Sequence, residues 1–349
     1  MKRLVWLALL VFGCNNNNDN GNHMVTRADI ATDVTDPTLI NAWGLAFNPA
    51  GAAWVSSNGA GVSEIFDANG NQLLTPVTIP GPSVRSVDPP ATPTGQAFNA
   101  DSNAFLGDVF IFVTEDGTIT GWQPSDGSDA QMRVDNSPTQ AVYKGVALGQ
   151  DNSGDARLFA ANFRNASVDV FDGNFQQVPG GFVDPALPAG FAPFNITFLP
   201  GSVGDVLVSY ALQDADKADD VAGDGNGFVD LYDGNGTLLG RLISGTAELN
   251  SPWGMTVTPA NFNAAPSQLL VGNFGNGLIH VYGLDLDNHT ASLNGTIDDT
   301  TGNPITIDGL WALVFGPGTG NFPSNVLFFT AGPNMETGGE FGSLTSTSP

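Results

Sequence analysis

The chain has 349 residues, and its 44 Gly and 23 Pro with only 13% charged residues favour many short strands and tight turns over long helices, whose interiors both residues destabilise. Its 35 acidic against 10 basic side chains, a net charge of −25, repel nucleic acid and anionic lipid headgroups, so neither is an expected partner. Hydrophobic content of 41% with 9% aromatics excludes a disordered acidic chain and supplies a core.

The first segment reads as an address. Lys2 and Arg3 precede the apolar run Leu4–Phe12, too short to span a bilayer, which is followed by Gly13 and the only cysteine, Cys14. Val11-Phe12-Gly13-Cys14 resembles a bacterial lipobox, with Phe12 an unusual occupant of its slot. The resemblance implies a signal peptide over residues 1–13 and lipidation of Cys14. Asn15 stands where an Asp would resemble the inner-membrane retention signal. The protein is therefore expected to be exported and held by its lipid at the outer membrane, the cell surface or the periplasm. Residues 14–24, almost all Asn, Gly and Asp, read as a flexible tether, and residues 25–349 as one domain.

That domain is built from a repeat. Six copies open with Ala42–Phe47, Pro93–Phe98, Tyr143–Leu148, Pro193–Phe198, Pro252–Val257 and Leu310–Phe315, and their third residues recur at spacings of 51, 50, 50, 59 and 58. A second apolar run follows each opening: Ala53–Ser56, Val109–Val113, Leu158–Ala161, Val206–Ser209, Leu269–Val271 and Val326–Phe329. A third, alternating strand comes next, as in Val62–Phe66, Thr118–Trp122, Ser167–Phe171, Phe228–Tyr232 and Leu278–Tyr282, and in most copies an Asp- or Gly-containing hairpin turn closes it. Fourth strands are the least regular. Four strands in roughly 50 residues, six times over, is the arithmetic of a propeller blade, and radial closure leaves only short edges exposed. The predicted fold is therefore an all-β six-bladed β-propeller. The last copy ends after a third strand near residues 341–346, so Val25–Val34 is expected to supply its missing outer strand and close the ring.

Several stretches from residue 36 to about residue 342 resemble an uncharacterised bacterial extracytoplasmic propeller family, related in pattern to NHL-repeat and gluconolactonase-like propellers. They include Thr114–Ile119, Tyr143–Gly145, Ala192–Asn195, Ser251–Gly254, Val271–Gly275 and Ile307–Leu313. The resemblance carries no assigned reaction. It implies histidines at two places where this chain has Ala218 and Gly338.

In a propeller the turns entering the inner strands and those leaving the second strands open on one face around the channel. The candidate ligand site therefore comprises Trp43, Asn58, Glu115, Asp116, Lys144, Asn162, Asn195, Trp253, Asn273 and Trp311, a mixture of amides, carboxylates, one ammonium and aromatics suited to a small ligand. Several have a plainer role: Asn58 before Gly59 as a turn residue, the tryptophans as packing between blades, Glu115 and Asp116 as part of a turn, and Lys144 as a counter-charge to these acids, whereas Asn162 and Asn273, each before Phe, are harder to assign to turns alone. Glu336 belongs to the same mouth. An insertion in the fourth copy, residues 213–227, holds Asp214, Asp216, Asp219, Asp220 and Asp224. Of these, Asp214, Asp216, Asp220 and Asp224 are candidate Ca²⁺ ligands, although the spacing fails the EF-hand pattern.

No G-x-S-x-G, H-E-x-x-H or G-x-G-x-x-G motif is present, and His280 and His289 lie in or after a third strand. The expected function is a monomeric binding module of the cell envelope for a small molecule, glycan or envelope protein. Two alternatives stand beside it. One is a calcium-dependent hydrolase resembling gluconolactonase, although that family's pattern has a metal-binding Glu where this chain reads Asn41. The other is a structural envelope protein, which would fill its channel with side chains.

Overall fold

The computed structural model describes residues 23–82, 91–199, 204–262 and 267–347. The expected signal peptide, Cys14 and most of the expected tether lie outside them. Among the described residues, the strands form six four-stranded antiparallel sheets, arranged as the blades of a β-propeller. The inner strands are Ala42–Asn48, Pro93–Phe98, Tyr143–Gln150, Phe191–Phe198, Pro252–Val257 and Leu310–Phe315. Each packs beside the next around the axis, and the sixth returns to the first. No described helix is long and apolar enough to cross a membrane.

The repeat has a steric cause. Gly95 lies so close to the next blade that a Cβ there would sit 2.8 Å from the Val146 nitrogen, and one on Gly254 would sit 2.6 Å from the Trp311 carbonyl oxygen. Inner strands converge on the axis, so the third position of most copies tolerates no side chain. Every inner strand also breaks register with its partner there, as between Pro252 and Gly254 and between Leu310 and Leu313. Away from the axis the blades diverge, and large side chains fill the widening gaps. Trp54 stacks on Phe110 at 3.9 Å, and Phe159 meets Phe182 edge-on at 5.3 Å.

Ring closure follows the expectation. Val25–Thr32 pairs antiparallel with Glu340–Ser346 as the outer strand of the sixth blade, with Val25 and Ala31 buried. Arg27 clamps the pair, donating to both Glu340 carboxylate oxygens at 2.5 and 2.6 Å. The outer strands of the first and third blades shrink to Val77–Thr78 and Gln177–Val178, which is why the fourth position of the repeat is hard to read. In the fifth blade the third strand runs Ile279–Asp285, beginning one residue later and ending three residues later than its sequence pattern.

Candidate functional site

The channel is closed across its middle by indoles. Trp43 stacks on Trp311 with ring centres 3.6 Å apart, Trp253 stands edge-on to both at 6.4 and 5.9 Å, and Phe274 covers the other side of Trp311 at 4.0 Å. Each tryptophan enters at the start of an inner strand, the narrowest point of the ring, where the rings can fill the axis. Two are pinned by their N–H groups. Trp311 donates to Asn41 Oδ1 at 2.8 Å and Trp253 to the Lys144 carbonyl at 3.1 Å, whereas Trp43 Nε1 is buried with no partner among the described residues. Further along the inner strands a separate cavity of about 170 Å³ is lined by apolar Leu45, Val146, Met255 and Leu313 together with polar Gln96 and Asn195.

Over the indoles sits a charged cluster. Lys144 is fully buried, its ammonium 5.0 Å from the centre of the Trp43 ring. It donates to Glu115 Oε1 at 2.5 Å and to Asp219 Oδ1 at 3.0 Å. Burial by itself would lower the pKa of this ammonium, but the two carboxylates outweigh burial and hold it above the usual lysine range. Asn58 donates to the second Glu115 oxygen at 3.0 Å. Glu336 receives the Asn41 amide at 2.7 Å, so a continuous path runs from Glu336 through Asn41 to the stacked indoles.

Glu336 owes its place to an unusual backbone. Asn334, Met335 and Glu336 have φ of 58°, 55° and 64°, three consecutive left-handed residues without a glycine, a conformation that costs energy at each step. Burial first, then repulsion from Asp219 and Glu115, pushes the Glu336 carboxyl up to about 7, with Lys144 opposing. Asp220 is pushed up to about 6, chiefly by burial and then by Asp219, against the lowering effects of Ser251 and Lys144. The Ser251 hydroxyl is fully buried and faces Asp220 without reaching hydrogen-bonding geometry, and Asp220 Oδ2 is likewise buried and unpartnered.

The sequence-predicted residues divide into two groups. Trp43, Asn58, Glu115, Lys144, Trp253 and Trp311 meet at the mouth or directly beneath it. The others hold backbone in place. Asp116 accepts from the Thr92 N–H and hydroxyl at 2.8 and 3.0 Å. Asn162 accepts from the Val142 N–H and donates to Asp169. Asn195 donates to the Trp253 carbonyl at 2.7 Å, and Asn273 to the Glu248 carbonyl at 2.7 Å.

Within the insertion, Asp214 accepts backbone N–H groups of Ala218 and Asp219 at 2.9 and 3.3 Å, while Asp216 is exposed. Asp220 belongs to the mouth, and Asp224 makes only a 3.5 Å contact with Asn250. Among the described residues no three His, Cys, Asp or Glu side chains form a group able to hold a metal. Asn41, Asp219 and Asp220 are the mouth residues that the ligand prediction omitted, Asp220 having been expected as a Ca²⁺ ligand. Asn41 had a signal, its place just before the first inner strand. Asp219 had none, because the insertion lies outside the repeat.

No family model matches the chain. Two uncharacterised proteins of Acanthamoeba polyphaga mimivirus are similar to it over 340 residues: one is 29% identical, covering 93% of this chain and 79% of the relative, the other 28%, covering 93% and 84%. Among solved structures, streptogramin B lyase superposes with a TM-score of 0.55 at 12% identity, covering 94% of this chain and 99% of that one. Virginiamycin B lyase from Staphylococcus aureus gives 0.53 at 9%, covering 92% and 98%. A protein of unknown function from Bacteroides thetaiotaomicron gives 0.56 at 12%, covering 92% and 72%. At these identities the likeness establishes the shared β-propeller fold alone.

Proposed function

We propose that this chain is a binding propeller, exported and lipid-anchored through Cys14, whose ligand site is the channel mouth above the tryptophans. One observation carries the reading: polar groups from the first, second, third and sixth blades and from the 213–227 insertion converge at one end of the channel, over a floor closed by indoles. A ligand would therefore approach from one side only and end against the Lys144–Glu115 pair. Sites of this kind, concave and with a few convergent polar groups on a rigid frame, suit recognition of a small molecule, a glycan or a projecting group of an envelope protein.

Trp43 supplies the test. Its ring lies 5.0 Å beneath the ammonium, so a ligand seated in the mouth changes indole emission. The full chain is titrated with neutral sugars, organic amines, organic acids and envelope proteins while fluorescence is followed. A saturable change that Glu115→Gln weakens is the expected result. Ligands that bind the Glu115→Gln variant unchanged would sink the reading, as would a chain that answers none of them. The anchor is tested separately: Cys14→Ser should move the protein from the membrane to the soluble fraction.

A further inference from the structure

We infer that the ligand of this mouth is an organic cation, an ammonium or guanidinium group, which settles beside Glu336, Asp219 and Asp220. The inference rests on the mouth being the binding site and names what that site takes.

The charge balance is the first reason. Glu115, from the turn after a second strand, and Asp219, from the insertion, meet on the Lys144 ammonium, and Asp220, also from the insertion, and Glu336, from the left-handed turn, lie within electrostatic reach of them. A single ammonium, Lys144, stands among them and is spent on Glu115 and Asp219. Among the described residues Glu336 receives only a neutral amide, from Asn41.

The hydrogen-bond inventory gives a second and independent reason. Among the described residues the buried Asp220 Oδ2 has no hydrogen-bond partner, and the fully buried Ser251 hydroxyl facing Asp220 is likewise unpaired, so the mouth keeps a carboxylate oxygen open to a donor. Buried polar groups are costly when unpaired. Ammonium and guanidinium groups bring only donors, whereas a carboxylate or phosphate would add acceptors to a site already rich in them. The third reason is the floor. The protein already keeps one ammonium over the Trp43 face between carboxylates, an arrangement that suits organic cations.

Proton exchange follows from the same crowding. Burial first, then the charges of Asp219, Glu115 and Asp220 with Lys144 opposing, push the Glu336 carboxyl up to about 7. Near neutrality it holds a proton part of the time. A cation beside it favours the carboxylate, and the proton leaves to solvent.

Calorimetric titration of the full chain with agmatine and putrescine, with calcium chloride and glucose in parallel, tests this at about pH 8 and about pH 5.5 and in buffers of different ionisation heat. One agmatine or putrescine should bind per chain, release most of a proton at about pH 5.5 and little at about pH 8, and bind more weakly at the lower pH by on the order of tenfold or more. Glu336→Gln keeps an acceptor for Asn41, so its weaker binding should be independent of pH and release no proton. Amine binding that ignores both pH and this substitution would overturn the inference, as would calcium taking the site in place of the amines. Glucose binding with amines silent would also overturn it and leave the mouth reading standing. Silence from every probe, in calorimetry and in indole fluorescence, would end both.

Discussion

Replacing Glu336 by Gln should stabilise the protein above neutral pH and leave it unchanged in acid. A carboxyl moved from an ordinary 4.5 to about 7 is penalised by about 3 kcal/mol once both folded and unfolded states are ionised, at about 1.36 kcal/mol per pH unit. The sign follows from proton counts. Below about pH 4.5 both states carry the proton and the group contributes nothing; between about 4.5 and 7 the folded state binds more protons than the unfolded state, so stability falls as pH rises; above about 7 the penalty is constant. Gln removes that slope while keeping the Asn41 contact. Relaxation of the mouth reduces the effect, so the gain should grow to roughly 1.5 to 3 kcal/mol across the window. Urea denaturation of both proteins, at about pH 4.5 and at steps up to about pH 8, reads it directly. Two parallel stability curves, or a variant less stable at about pH 8, would refute the account of the crowded mouth.

Lys144→Met leaves Glu115 and Asp219 without their cation. Breaking a buried pair costs about 3 to 5 kcal/mol, but the two carboxylates keep 26% and 57% of their side-chain exposure and can rehydrate, so a loss of about 2 kcal/mol is expected in urea denaturation. An unchanged midpoint would mean that the pair is idle. A chain beginning at Asp33 lacks the outer strand of the sixth blade and the Arg27 clamp and bares the edge of Glu340–Ser346. It should melt lower and associate with rising concentration, and a monomer with unaltered melting would contradict ring closure by that strand. Burial lowers the pKa of His280 against the pull of Glu248, so the unfolded chain binds more protons as pH drops below about 6.5 and stability falls with it. His280→Leu should flatten that decline between about pH 7 and 5, which melting temperatures at the two values would show.

The blades were legible in the sequence because their causes are local and repeated. Alternation sets each strand's two faces, turn residues set the hairpins, and the third position of most copies lost its side chain wherever a neighbouring inner strand passes within 3 Å, as at Gly95 and Gly254. Ring closure was legible by subtraction: one copy lacked an outer strand, and the chain began with a strand to spare. The mouth was legible only in part. That Trp43 and Trp311 both enter at inner strands could be read; that they stack at 3.6 Å and close the channel required the last blade to return beside the first. Asn162 and Asn273 occupy equivalent turns, yet their amides are taken up by backbone leading into the inner strand of the same blade, at Val142 and Glu248, and for Asn162 also by Asp169. Asp219 reaches Lys144 across 75 positions, and Glu336 reaches Asn41 across 295. The periodic sequence determined what each blade is, because strand and turn energetics act over a few neighbouring residues. Which charged groups share the mouth was decided by closure of the ring, which brings together residues whose separation along the chain carries no local signal.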